Sequence, residues 1–142
     1  MIEEIKNENK LLSIIIRSNY SCEGIKFFTP DDFSQQLGYM SHSKGSVIKP
    51  HTHNKVTRNV NYTKEVLIIR SGKVRVDFYS DARSYIRSTV LYKGDVILLA
   101  FGGHGFEMLE DSEMIEIKQG PYAGEGDKSR FDPVEESQLK FE

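Results

Sequence analysis

Three histidines and one glutamate are the residues of this 142-residue chain whose types and spacing could do chemistry. His51 and His53 lie two positions apart, Glu65 begins an apolar run, and His104 follows a second apolar run bounded by glycines. Imidazole and carboxylate groups in this combination form a suitable ligand set for a divalent metal ion. The sequence therefore predicts one metal site, provided that the fold brings these side chains together.

Side-chain alternation along β-strands would direct the candidate ligands toward one interior. Residues two apart on a strand share a face, so His51 and His53 point the same way if their segment is extended. Glu65 and His104 each share a strand face with apolar residues, which are Leu67 and Ile69 for the glutamate and Phe106 and Met108 for the histidine. A carboxylate among apolar side chains is costly unless it is paired or binds a cation.

Each of these residues taken alone also has an ordinary structural explanation. An inward histidine can be a hydrogen-bonded core residue, and an HxH pair can occur by chance. Glu65 could instead form a surface salt bridge with Lys64 or Arg58. The agreement of three separate segments favours the metal site over these explanations.

The chain around the candidate ligands reads as a series of short β-strands. Alternating or β-branched runs separated by turn residues occur at 13–17, 25–28, 33–40, 65–70, 74–79, 89–92, 96–101, 104–109 and 113–118. Short strands at regular spacing, without a long helical pattern, favour an all-β sandwich or barrel. We predict a helical or flexible segment over 1–10, a β-sandwich or β-barrel over 11–124, and an acidic solvated tail over 125–142 with one short helix.

Composition and charge exclude several classes of function. The net charge of −2 argues against a general nucleic-acid or anionic-membrane binder, because both reward a strongly basic face. No apolar run approaches the roughly 20 residues that a membrane-spanning helix needs. The N-terminal residues lack the apolar core of a signal peptide, and the single cysteine, Cys22, cannot form an internal disulfide. We therefore expect a cytoplasmic protein.

Two stretches of the chain resemble the motifs of the cupin superfamily, in particular its small single-domain metalloproteins (monocupins). The first motif is a glycine before an HxH pair, followed by a glutamate and a second glycine. It is matched by Gly45, His51, His53, Glu65 and Gly72, in GSVIKPHTH and EVLIIRSG. The second motif ends a glycine-bounded strand with a histidine and reads GDVILLAFGGH, from Gly94 to His104.

The match to these motifs has several departures. Eleven residues separate His53 from Glu65, which is a longer gap than is usual in the family. Ala100 stands where the family has a proline, and only Gly103 lies between Gly102 and His104. Glu107 could replace Glu65 as a ligand only if the parity of the last motif strand were broken.

The resemblance implies a double-stranded β-helix, or cupin jelly roll, that forms a homodimer. It also implies one divalent metal ion (iron, manganese, nickel or zinc) held by His51, His53, Glu65 and His104. Such an ion would keep open positions and could act as a Lewis acid on a carbonyl or an enediol. In the long gap, Arg58 suits an anionic group, while Asn61 and Tyr62 suit sugar hydroxyls.

Three functions remain open at this point. The first is a metal-dependent isomerase, epimerase or lyase that acts on a small polar, sugar-like substrate; similarity to small cupins suggests surface-polysaccharide synthesis. The second is a non-haem iron dioxygenase, which the same ligand set would suit. The third is a non-enzymatic module that binds a metal or a sugar. None of the three involves nucleic acid or a membrane.

Overall fold

Ten β-strands and two short 3-10 helices make up the structure, a computed structural model that describes residues 1–141. The strands are β1 (Ile2–Asn7), β2 (Lys10–Ile16), β3 (Gly24–Phe27), β4 (Gly38–Ser41), β5 (Glu65–Ser71), β6 (Lys73–Tyr79), β7 (Tyr85–Tyr92), β8 (Val96–Leu99), β9 (Gly103–Met108) and β10 (Glu113–Lys118). The 3-10 helices are Glu125–Asp127 and Glu136–Gln138. No helix in the described part of the chain is long and apolar enough to cross a bilayer.

The chain divides into two compact units. The first unit is Met1–Tyr20 together with the chain from Thr63 onward, and the second unit is Ser21–Tyr62. The first unit contains a five-stranded antiparallel sheet in the order β1-β2-β8-β5-β10 and a three-stranded antiparallel sheet in the order β7-β6-β9. The second unit contains the hairpin β3-β4.

One hydrophobic core joins the two sheets of the first unit. Alternate residues of β6, Val74, Val76 and Phe78, are at most 1% exposed and pack with side chains of the five-stranded sheet such as Ile69 and Ile97. The period-two pattern of these strands explains this arrangement, because every second side chain reaches the same face. Each fully buried aliphatic side chain of this kind contributes about 1.5–3 kcal/mol to the free energy of unfolding.

A network of charged side chains around Arg17 ties the start of the first unit to its later strands. The Arg17 guanidinium donates hydrogen bonds to Glu3 at 2.7 and 3.0 Å, to Asp95 at 2.7 Å, and to the Val90 carbonyl at 2.7 Å. Burial acts to lower the pKa of Arg17, but the hydrogen bonds to Glu3 and Asp95 outweigh it, and the pKa is raised. Arg17 therefore stays protonated between the two carboxylates of Glu3 and Asp95.

The C-terminal residues lie along the outer face of the three-stranded sheet. The Val134 amide donates to the Tyr79 hydroxyl at 3.0 Å, and the Phe131 ring packs edge-on against Tyr79 with 5.0 Å between ring centroids. The Ser88 amide donates to the Lys140 carbonyl at 2.8 Å. The segment over 125–141 is mostly exposed, as predicted, but these contacts anchor it and it contains two short helices rather than one.

The predicted all-β class is confirmed, and the closed barrel is not. Within residues 1–141 the sheets do not close into a barrel. The helical or flexible segment predicted over 1–10 is wrong, because β1 pairs with β2 and buries Ile5. The strand predicted over 33–40 is limited to its end, where Gly38–Ser41 forms β4.

Candidate functional site

Glu65 and His104, predicted from separate motifs, are in direct contact in the first unit. The Nε2 atom of His104 lies 3.1 Å from Glu65 Oε2, within hydrogen-bond distance. Glu65 begins β5 on the same face as Leu67 and Ile69, and is 6% exposed. His104 lies on β9 opposite Phe78 of β6, and its side chain is 29% exposed. Strand alternation therefore brings this carboxylate and this imidazole to the inner surface of both sheets.

The electrostatic environment keeps Glu65 ionised. The hydrogen bond from His104 lowers the pKa of the Glu65 carboxyl, against the opposing effect of burial, and the positive charges of Lys128 and Lys118 lower it further. The ammonium of Lys128 lies 3.9 Å from Glu65 Oε1. A buried carboxylate that stays charged and has a free lone pair is a group that can bind a cation or accept a proton.

An open cleft of about 830 Å³ surrounds this pair and the neighbouring edge of β9. On the inner side it is lined by Glu65, Leu67, His104, Phe106 and Met114. The cleft also reaches the outer face of β9, since its lining includes the alternate residues Gly103, Gly105 and Glu107. The volume is in the range of small-molecule sites. Like such sites, the cleft combines apolar walls with a few polar groups, which are the Glu65 carboxylate, the His104 imidazole and the Lys128 ammonium.

A second charged cluster lines the outer side of the same cleft. Arg75 and Asp77 are 6% and 3% exposed, and Arg75 donates to both Asp77 oxygens at 2.9 and 3.1 Å. Asp77 also accepts a hydrogen bond from the Ser88 hydroxyl, and Arg75 pairs with Glu107 at 2.7 Å. The hydrogen bonds to Asp77 raise the pKa of Arg75, although burial opposes this. The cluster is a satisfied ion pair beside the cleft.

The other two predicted ligands, His51 and His53, belong to the second unit. Their rings approach each other edge-on with 5.3 Å between centroids, and His51 Nδ1 lies 2.9 Å from the Lys49 carbonyl oxygen. Arg58, Asn61 and Tyr62, the predicted substrate contacts, lie in the same unit. All five side chains are exposed, and within the described residues no strand or helix occurs between β4 and β5.

Two of the four predicted ligands, Glu65 and His104, therefore belong to the first unit, and the other two, His51 and His53, belong to the second unit. Across residues 1–141 there is no group of three or more histidine, cysteine, aspartate or glutamate side chains placed to hold a metal ion. The donor types of Glu65 and His104 fit two ligands of such an ion, because His104 Nε2, without the proton of this hydrogen bond, and the Glu65 carboxylate would both present lone pairs at the wall of the cleft. The assignment of all four residues as ligands stays a prediction.

Sequence reasoning missed Lys128 and the Arg75–Asp77 pair. Lys128 lies in the segment for which the sequence predicts a solvated tail, and nothing in its local sequence indicates contact with Glu65 more than sixty positions earlier. Arg75 and Asp77 alternate with apolar residues on β6, a pattern that predicts exposed charges. The wrong core assignment was Met108, which is 46% exposed because β9 is an edge strand.

Comparisons with protein-family models, with curated proteins and with solved structures gave no match to this chain.

Proposed function

We propose that this chain is a cupin-like metalloenzyme, with a jelly-roll fold completed in its working form, that acts on a small polar, sugar-like substrate. The observation that carries the proposal is the buried Glu65 in hydrogen-bond contact with His104 at the wall of an open cleft. In this proposal Glu65 and His104 hold one divalent metal ion together with His51 and His53. The protein is a cytoplasmic homodimer, and its reaction is an isomerisation, an epimerisation or a lyase reaction.

The residues that line the cleft, five acidic and three basic side chains among them, support a polar substrate. Lys128 lies within 4 Å of Glu65, and Arg130 also lines the cleft, so positive charge is available next to the carboxylate. Phe106 and Leu67 provide apolar surface that excludes water from one side of a bound molecule. Arg58, Asn61 and Tyr62 are proposed to contact anionic or hydroxyl groups of the substrate. When bound, the metal ion would polarise a substrate carbonyl or hydroxyl.

A second candidate function uses the Glu65–His104 pair without a metal. If the His104 Nε2–H donates to Glu65, the Nδ1 atom of a neutral imidazole carries the lone pair and can accept a proton. Glu65 then holds the ring in this tautomer and stabilises the imidazolium that forms. A carboxylate–imidazole pair of this kind can move a proton in an isomerase.

Elemental analysis of the purified protein tests the first proposal. We expect a near-stoichiometric content of iron, manganese, nickel or zinc in the wild type, and its loss in Glu65→Gln, in His104→Ala and in the double variant His51→Ala/His53→Ala. His42→Ala is the matched control, since His42 is an exposed histidine of the second unit outside the predicted ligand set. A wild type that holds no metal after each ion has been added back would contradict the metalloenzyme and leave the metal-free pair.

A further inference from the structure

Two consecutive strands of the first unit, β9 and β10, are edge strands of its two different sheets. Among the described residues, β9 pairs only with β6, and β10 pairs only with β5. On β10, Ile115 and Ile117 are 44% and 49% exposed. An open edge presents a row of unpaired N–H and C=O groups, and exposed apolar side chains beside it make the edge a template for another strand.

The second unit exposes apolar surface and lacks a core of its own. Its buried residues are Thr29 and Leu37, and every residue from 40 to 62 is exposed. The exposed large hydrophobic residues of this unit are Ile25, Phe27, Met40, Val47, Ile48, Val56, Val60 and Tyr62. A stretch of chain with this much exposed apolar surface is typical of a segment that is buried in an assembly.

The charges of the two surfaces are complementary. Residues 33–62 carry four basic side chains, Lys44, Lys49, Lys55 and Arg58, and no acidic one. Residues 103–118, which cover β9, β10 and the turn between them, carry five acidic side chains, Glu107, Glu110, Asp111, Glu113 and Glu116, and one basic side chain, Lys118. All five acidic residues are exposed. Such a pairing of opposite charges steers association and fixes its register.

We propose that the second unit of one copy docks along the open edges of β9 and β10 in a second copy, and that its His51 and His53 complete the site of Glu65 and His104. The exchange is reciprocal, so a two-fold symmetric dimer contains two such sites. The ligand role of the histidines rests on the proposed function, whereas the docking rests on the edges, the exposed apolar residues and the charges.

The alternation of side chains along a strand explains how docking at β9 would bring His51 and His53 to the sheet face that carries His104. Neighbouring strands lie about 4.8 Å apart, and directly opposed side chains share a face of the sheet. If residues 51–53 pair with β9, both imidazoles can lie on the inner face with His104, while Thr52 lies on the outer face with Gly105. The Cβ of a residue at position 105 has open space, since its nearest neighbour is the Tyr79 ring at 3.9 Å.

Cross-linking tests the docking without reference to a metal. Two differently tagged chains, one with Thr52→Cys and the other with Gly105→Cys, both in a Cys22→Ser background, are mixed and oxidised mildly. We expect a disulfide-linked dimer carrying both tags, at a yield about tenfold above a control in which exposed Lys93→Cys replaces Gly105→Cys, because docking raises the effective concentration of the thiols. Equal yields would overturn the proposal.

Complementation tests whether the site is shared between copies. One chain carries His51→Ala/His53→Ala and the other Glu65→Gln/His104→Ala, so neither forms a complete site alone. We expect the isolated mixed dimer to regain half of the wild-type metal content, since one of its two sites is intact. A mixed dimer without metal, from a wild type that binds metal, would show that each site forms within one chain. If the cysteine variants cross-link as expected but the wild type contains no metal, the docking is supported and the metal-binding function is overturned.

Discussion

The Arg75–Asp77 pair is the most deeply buried ion pair beside the cleft. Both Asp77 oxygens accept hydrogen bonds from Arg75, and a third bond comes from Ser88. A buried pair of this kind contributes little beyond an apolar replacement, but the loss of one partner leaves an uncompensated charge. Its bonds to Ser88 of β7 and Glu107 of β9 tie together the three strands of the sheet that contains β6.

We predict that Asp77→Ala lowers the free energy of unfolding by about 3–5 kcal/mol, because it leaves the Arg75 guanidinium buried with Glu107 as its remaining partner. The double variant Arg75→Met/Asp77→Leu should recover most of this loss. Urea unfolding followed by circular dichroism measures both. A loss below about 1 kcal/mol for Asp77→Ala, the size typical of surface pairs, would mean that solvent reaches the pair.

Tyr79 allows a prediction about alkaline pH. Burial raises the pKa of the Tyr79 hydroxyl, partly offset by the hydrogen bond from the Val134 amide. The unfolded chain ionises first, so the stability from this group is complete below the ordinary tyrosine pKa and is lost as the pH rises through the raised pKa. Tyr79→Phe should cost about 1 kcal/mol at neutral pH and reduce this alkaline loss.

Urea unfolding at about pH 7 and about pH 10.5 measures both effects. Tyr122→Phe is the control, because Tyr122 is 78% exposed. The same alkaline loss in Tyr79→Phe and in the wild type would contradict the assignment to this hydroxyl.

At the level of single residues, the sequence predicts contacts that follow from strand alternation and misses those that depend on distant segments. The inward position of Glu65 and His104 follows from their apolar neighbours at every second position. The burial of Arg75 does not, because the residues that cover its sheet face come more than fifty positions later. Their approach is set by tertiary packing, which local patterns do not contain.

Among the elements, the turn between β5 and β6 is closely packed against the turn between β9 and β10. Gly72 has a φ of 81°, and a Cβ at this position would overlap the Asp111 carbonyl oxygen and the Ser112 side chain. The Lys73 amide also donates to the Ser112 hydroxyl at 3.1 Å. Each turn connects a strand of the five-stranded sheet to a strand of the three-stranded sheet, and the contact between the turns holds the two sheets together at that end.

We predict that Gly72→Ala lowers the free energy of unfolding by at least about 2 kcal/mol, because the left-handed backbone and the overlap both penalise a side chain. Gly126→Ala is the matched control, since a Cβ at that position meets nothing within 4 Å. It should change stability by less than about 0.5 kcal/mol. Equal midpoints in thermal unfolding of the two variants would contradict the close packing of the turns.

The strands between Glu65 and Lys118 were predictable because apolar and polar residues alternate there between glycine turns. The hairpin of β1 and β2 could not be predicted from the sequence. Its turn places Glu8 at a φ of 53°, a backbone conformation that non-glycine residues seldom adopt. The strand predicted at 33–40 is shortened because the Gln36 side chain donates to the Pro30 and Phe33 carbonyls. Side-chain bonds of this kind stabilise a loop in place of a strand.

For the whole molecule, the uneven distribution of charge gives a prediction about assembly. Lys55→Glu should raise the dissociation constant of the proposed dimer about tenfold at low salt, because it places a negative charge opposite the acidic edge. Lys93→Glu makes the same charge change at an exposed turn of the first unit and should have little effect. Sedimentation velocity at low and at about 0.5 M salt measures both, and the difference should shrink at high salt. An equal change of the dissociation constant in both variants would contradict a role of residues 33–62 in forming the dimer.

The order of the five-stranded sheet could not be read from the sequence, although its strands could. Pairings such as Ser13 with Leu99 join distant parts of the chain, and their energy depends on the whole core. The all-β class follows from local patterns, whereas the arrangement of the two sheets of the first unit follows from long-range packing.

The position of β8 between β2 and β5 has a consequence for synthesis on the ribosome. The β1–β2 hairpin is complete once residue 16 has been made, but its sheet partner ends at residue 99. At roughly 5–20 residues per second, the nascent hairpin waits about 4–17 s before it can join a sheet. During that interval Ile14 and Ile15, which are fully buried in the finished fold, face water or the chaperones that bind emerging chains.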